Sequence, residues 1–193
     1  MHNKEIETYC PKSQTDWRHW LKKNHKSKQS VWLIYHTKKS NVPSLSWSDA
    51  VDEALCFGWI DSTRKKINDI SFMQFFSKRK PKSNWSKINK EKVQQLIDSK
   101  RMTKQGYESV EIAKQNGYWT ILDEIEEVII PEDLEIAFKK YNGSKDYFLS
   151  LSKSTRKIIL SWIILVGKQE TRQKRIEEVV ESAALNLKPK HLR

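Results

Sequence analysis

Trp59-Ile60-Asp61-Ser62-Thr63-Arg64-Lys65-Lys66-Ile67-Asn68-Asp69-Ile70-Ser71-Phe72-Met73-Gln74-Phe75-Phe76 sets two β-branched and aromatic runs on either side of a polar turn. Trp59–Thr63 and Ile70–Phe76 read as strands. The Asn68-Asp69 pair in the Arg64–Asp69 connection makes them a hairpin. Upstream, Val31-Trp32-Leu33-Ile34-Tyr35-His36 reads as a further buried strand. Trp17, Trp20 and Leu21 fall at i, i+3 and i+4 behind Thr15, a candidate N-cap. Ser46-Trp47-Ser48-Asp49 resembles a capping box for a helix with Trp47, Ala50, Val51, Ala54 and Leu55 on its inward face and Gly58 as its stop.

Downstream of the hairpin the period is helical. Ile88, Val93, Leu96 and Ile97 form one face of a helix from about Ser86. Thr103 caps the next, which runs through Tyr107, Val110 and Ala113 to Asn116-Gly117. Beyond Pro131 every segment reads as helix: one through Ala137, Phe138 and Tyr141 to Asn142-Gly143, one around Ile158–Leu165, and one from Thr171 to Leu187. The expectation is an α+β fold: residues 1–128 as a mixed domain with a small antiparallel sheet, and 129–193 as a small all-helical domain.

With 193 residues, eight Trp, six Tyr and six Phe, the chain has the aromatic surface for a true core, although 31% of it is charged. No stretch approaches the roughly 20 apolar residues of a membrane span, so membrane insertion is not expected. The start lacks the apolar stretch of a secretory leader. Two cysteines, Cys10 and Cys56, make neither a disulfide framework nor a zinc site. These features point to a reduced, cytoplasmic setting.

The net charge of +12 is unevenly placed. Residues 61–105 carry a +9 excess, and 106–150 reverse to −6. In the basic block, cations alternate with aromatics: Trp59, Asp61, Arg64 and Lys65 on the hairpin, then Arg79, Lys80, Lys82, Trp85 and Asn89 on the following loop and helix start. Arg and Lys bind phosphate or carboxylate, Asn adds hydrogen bonds, and Trp offers a stacking face. The block therefore reads as a surface for an anionic ligand or polyanion, with nucleic acid as one alternative. In the other alternative, Asp61 is the acid/base of an enzyme acting on a small anion anchored by Arg64, Arg79 and Lys82. No glycine-rich phosphate loop, His-Glu-x-x-His or Gly-x-Ser-x-Gly occurs, so no catalytic residue, metal ligand or cofactor is assigned. Trp17, Trp20, Trp32 and Trp162 are expected in cores, and Trp59 and Trp85 as partly exposed platforms.

Glu53-Ala-Leu-Cys-Phe-Gly-Trp-Ile-Asp-Ser62, Arg79-Lys-Pro-Lys-Ser-Asn-Trp-Ser-Lys-Ile-Asn89 and Met102-Thr-Lys-Gln-Gly106 resemble the YdeI/OmpD-associated family, also called bacteriocin-protection proteins. So do Pro131-Glu-Asp-Leu134, Ser161-Trp-Ile163 and Glu170-Thr-Arg-Gln-Lys-Arg-Ile176. The resemblance runs through nearly the whole chain. Lys78 and Lys100 depart from it, standing where relatives often have Pro and Gly. It implies a bacterial stress-tolerance protein, tied to protection against antimicrobial peptides and to a porin, that works as a binding or adaptor module. It supplies no reaction, cofactor or catalytic residue. Some relatives join the C-terminal domain to a frataxin-like one, whose acidic metal-binding helix this N-terminal half lacks.

Overall fold

The hairpin forms in the computed structural model, which describes residues 6–193, as β3 (Trp59–Lys66) and β4 (Ser71–Lys78). The first five residues, part of the start read above as lacking a leader, lie outside those described. Both strands outrun their apolar stretches because polar residues continue the ladder, and a register shift between Asp61 and Arg64 inserts a bulge. β2 (Ser30–His36) pairs antiparallel with β4, and the two-residue β1 (Thr8–Tyr9) pairs parallel with β2. The order is β1-β2-β4-β3. The three long strands are antiparallel as expected; the short parallel strand makes the sheet mixed, and two residues are too few to leave a periodic signal.

Helices α1 (Gln14–Asn24), α2 (Trp47–Cys56), α3 (Lys87–Asp98) and α4 (Lys104–Gln115) complete the first unit, which ends at Trp119. One core joins Trp17, Trp20 and Leu21 of α1, the inward residues of α2, and Val31, Leu33, Tyr35, Trp59 and Phe76 of the sheet. Trp17 stacks on Trp20 with ring centroids 5.0 Å apart, and Trp20 meets Trp59 edge-on at 5.8 Å. Each such ring hides about 150–250 Å², which is how so polar a chain fills a core.

Several local expectations change. Ser13, not Thr15, caps α1, its hydroxyl accepting from the Asp16 amide. Ser46 caps α2 through Asp49 as expected, but Trp47 is 50% exposed rather than inward. As the first residue of the helix, it lies outside the apolar stripe that begins at Ala50. Ile88 and Tyr107 also point outward, leaving Val93, Leu96, Val110 and Ala113 to make the contacts of α3 and α4. Lys100 takes φ +56°, the left-handed position that a glycine would fill.

The second unit, Thr120–Arg193, is helical: α5 (Ile121–Glu126), α6 (Glu132–Phe138), α7 (Ser144–Ser150), α8 (Lys153–Ile164) and α9 (Gln169–Ala184). Its boundary falls before the one read at 128/129, because Ile125 joins Leu134, Phe148, Ile159, Leu160 and Ile176 in the second core. The segment read as one helix from Ala137 to Gly143 ends at Phe138, and Gly143 at φ +76° leads into α7. Trp162 is only partly buried on this core, with Arg175 4.8 Å from its ring centroid. No helix of the described residues is long and apolar enough to cross a membrane.

Candidate anion site

Gly58 ends α2 and begins the site. Its φ is +70°, and a Cβ there would come within 2.9 Å of the Gln105 carbonyl. Gly106 makes the matching approach, its absent Cβ only 2.4 Å from the Cys56 carbonyl. Thr103 clamps the same carbonyl through its amide (3.1 Å) and hydroxyl (2.7 Å) while capping α4. Two glycines and a threonine thus seat the start of α4 against the end of α2. Beside them the β3–β4 ladder pairs Trp59 with Lys78, and the Arg79 amide extends it by donating to Gly58 O at 2.9 Å.

These elements enclose an open-mouthed cavity of about 180 Å³. Trp59, Lys78, Arg79, Lys80, Gln105 and Glu108 line it, with His25 at the end of α1. Arg79 is its central feature. The guanidinium lies 3.6 Å from the Trp85 ring centroid and donates from Nη1 to Asn84 O at 2.8 Å. Its Nε and Nη2 are closed off from water and meet no acceptor among the described residues. Burial lowers its pKa to about 10, with the charge of Asp61 opposing part of the shift, so it remains cationic at neutral pH. Trp59 Nε1 and His25 Nε2 are likewise buried without a partner. His25 Nδ1 bonds Leu21 O at 2.8 Å. Because a carbonyl oxygen only accepts, Nδ1 is the donor of that contact, and Nε2 is the ring nitrogen without a partner. Glu108 is the cavity's carboxylate, with the Lys104 ammonium 3.9 Å away.

A buried guanidinium with two nitrogens left unbonded is costly unless an acceptor completes it. A carboxylate or phosphate does so best, because its charge answers the cation and its paired oxygens match the fork.

The residues expected to form one surface separate. Trp59, Arg79 and Lys80 meet at the cavity, whereas Lys82 is exposed on the loop and Asn89 lies in the first turn of α3, its amide donating to Ser86. Arg64 stacks on Phe72 at 3.7 Å and Lys65 on Trp32 at 4.9 Å, on opposite faces of the sheet. Asp61 does not line the cavity; its Oδ2 accepts from Trp47 Nε1 (2.9 Å) and Gln74 Nε2 (3.0 Å). Trp59 and Trp85, at 0% and 1% exposure, cannot act as open stacking platforms. Trp59 sits under α1, and the Trp85 ring is held between Arg79 and Trp119. His25 and Gln105 were not expected at the site: the end of α1 brings His25 against Phe57, and the approach of α4 to Gly58 brings Gln105. Cys56 is a core residue whose thiol is pushed up to about 11 by burial and Glu53, against the opposing pull of Arg18 and Arg101.

Family models divide the chain much as the fold does. One, a domain of unknown function (DUF8412), matches residues 9–109, over half the chain. The other, described as bacteriocin-protection, YdeI or OmpD-associated, matches residues 127–186. The chain belongs to the DUF8412 family and carries a YdeI/OmpD-associated domain. That domain corresponds to α6–α9, while the cavity and its lining residues up to Gln105 and Glu108 fall within the DUF8412 match. The likeness therefore splits: the motifs at 53–62, 79–89 and 102–106 lie in DUF8412, and those from Pro131 onward lie in the YdeI/OmpD-associated domain. No curated protein and no solved structure matches significantly.

Proposed function

We propose that this bacteriocin-protection-associated protein uses its N-terminal unit as a binding module for a small anion. The ligand's carboxylate or phosphate group is received by Arg79, whose closed-off Nε and Nη2 turn toward the cavity that Trp59 lines. The incompletely bonded Arg79 guanidinium carries this reading. A volume near 180 Å³ compares with an apolar cavity of about 150 Å³ that admits benzene, so the group received is no larger than a single ring. Binding rather than catalysis suits the separation of Asp61 from the cavity. A cytoplasmic setting suits the two free thiols.

Thermal-shift titrations with inorganic phosphate, acetate and citrate, run against chloride at equal ionic strength, test this reading. A native-state ligand at 100 times its Kd stabilises by about 2.7 kcal/mol. At least one anion should raise the Tm of the parent, and the rise should vanish in Arg79→Gln. An equal rise in both proteins would refute the assignment. The phosphate and carboxylate arms separate the two chemistries.

A further inference from the structure

The strand alternation gives the sheet a second face that neither core uses. Val31, Leu33 and Tyr35 of β2 point into the first core together with Phe76 of β4. The residues between them, Trp32 and Ile34 on β2 and Met73 and Phe75 on β4, must face the other way. All four are half-buried, and none belongs to, or packs against, either hydrophobic core of the described residues. Trp32 and Phe75 are direct cross-strand partners on the two central strands, with centroids 5.0 Å apart. Lys65 of β3 pairs with Met73 on the same face and holds its ammonium 4.9 Å from the Trp32 centroid. The outward positions across these strands carry Lys65 and His36 and no carboxylate. The neighbouring acids are engaged elsewhere: Glu7 with Lys28, Asp69 with Lys66, and Asp61 on the inner side with Trp47 and Gln74.

We infer that this face binds single-stranded nucleic acid, with bases stacking on Trp32 and Phe75 and Lys65 neutralising a phosphate. Aromatic side chains on central strands are what an unpaired base needs, since every base has a π-face and no hydrogen-bond code is required. Among the described residues of these strands the face carries no carboxylate, and Lys65 gives it positive charge beside the aromatic pair, so a phosphate backbone meets attraction and no opposing acid there. A duplex hides its base faces and gains nothing from the aromatic pair. The surface lies apart from the Arg79 cavity and does not depend on it.

Fluorescence anisotropy with labelled 12-nucleotide oligo(U) and oligo(dT), against a 12-base-pair duplex at equal salt, tests the inference on the full chain. The single strands should bind more tightly than the duplex. Phe75→Ala and Trp32→Ala should each weaken binding at least fivefold, the low end of what one stacked base contributes. Phe75→Tyr should retain it, which controls for folding along with circular dichroism. Lys65→Ala should weaken binding less and reduce the log–log salt slope by about 0.7. Three results would overturn the inference: a preference for duplex, binding that survives both aromatic truncations but is lost in Lys82→Ala, or a homodimer in light scattering that Phe75→Ala dissociates.

Discussion

Replacing Glu53 by Ala tests the packing that places α1, α2 and the start of α4 around the cavity. The Glu53 side chain is 2% exposed, yet it accepts from two guanidinium groups: Arg18 at 2.6 Å and Arg101 in a close ion pair. Arg18 also donates to Arg101 O at 2.8 Å, tying the start of α1 to the chain between α3 and α4. Removing one partner of a buried ion pair costs about 3–5 kcal/mol, chiefly by stranding the charge left behind. Here the stranded groups are 33% and 36% exposed and can recover water, so the low end applies, about 3 kcal/mol. Urea denaturation followed by tryptophan fluorescence should show a lower midpoint with little change in m. Glu53→Gln, which keeps the shape and one acceptor, should lose less. A loss below about 1 kcal/mol for Glu53→Ala would mean that the triad is not a structural staple.

Lys100→Gly should stabilise the protein by roughly 1 kcal/mol in the same assay, because Lys100 holds φ +56° at the end of α3 and glycine has no Cβ to strain there. Trp59→Ala and Trp85→Ala should cost about 3–5 kcal/mol each, as much as Trp17→Ala, since all three rings are buried; markedly smaller losses would contradict their place in the core. In the second unit, the paired donation of Arg172 to Asp133 (2.6 and 2.9 Å) holds that carboxyl below the ordinary carboxylate range, with burial opposing. Its stabilisation is therefore complete above about pH 4 and is lost as pH falls through the lowered native value. The stability gap between parent and Asp133→Asn should be constant near neutrality and close in strong acid; a gap that closes between pH 5 and 7 would implicate a different group.

The hairpin, the Ser46 and Thr103 caps and the Gly58 stop were legible in the sequence because each rests on neighbouring residues. The Glu53–Arg18–Arg101 staple was not, since its members lie 35 and 48 positions apart and carry no local pattern. Trp47 and Trp32 show a second limit. A helical stripe and an apolar run mark which residues are hydrophobic, but not where a helix begins to bury them or which sheet face is covered. At the candidate site, the basic loop was visible as composition. What singles out Arg79 from Arg64, Lys65 and Lys82 is the closure of its Nε and Nη2 from solvent as the guanidinium lies over Trp85, a tertiary contact with no local sequence pattern. Trp20 on one side and Arg79 with Trp119 on the other bury Trp59 and Trp85, which turns the expected stacking platforms into walls and leaves the aromatic surface to Trp32 and Phe75.

The binding of an anion at Arg79 can be read directly from nitrogen-detected chemical shifts during titration of the full chain with inorganic phosphate or acetate. Arg79 Nε–H and Trp59 Nε1–H, both without acceptors now, should shift together and saturably with one of these anions. Trp17 Nε1–H, which already donates to Ala50 O at 3.1 Å, should stay in place. Unmoved Arg79 and Trp59 signals, or equal small shifts across all eight tryptophan indoles, would contradict a specific anion site at this cavity.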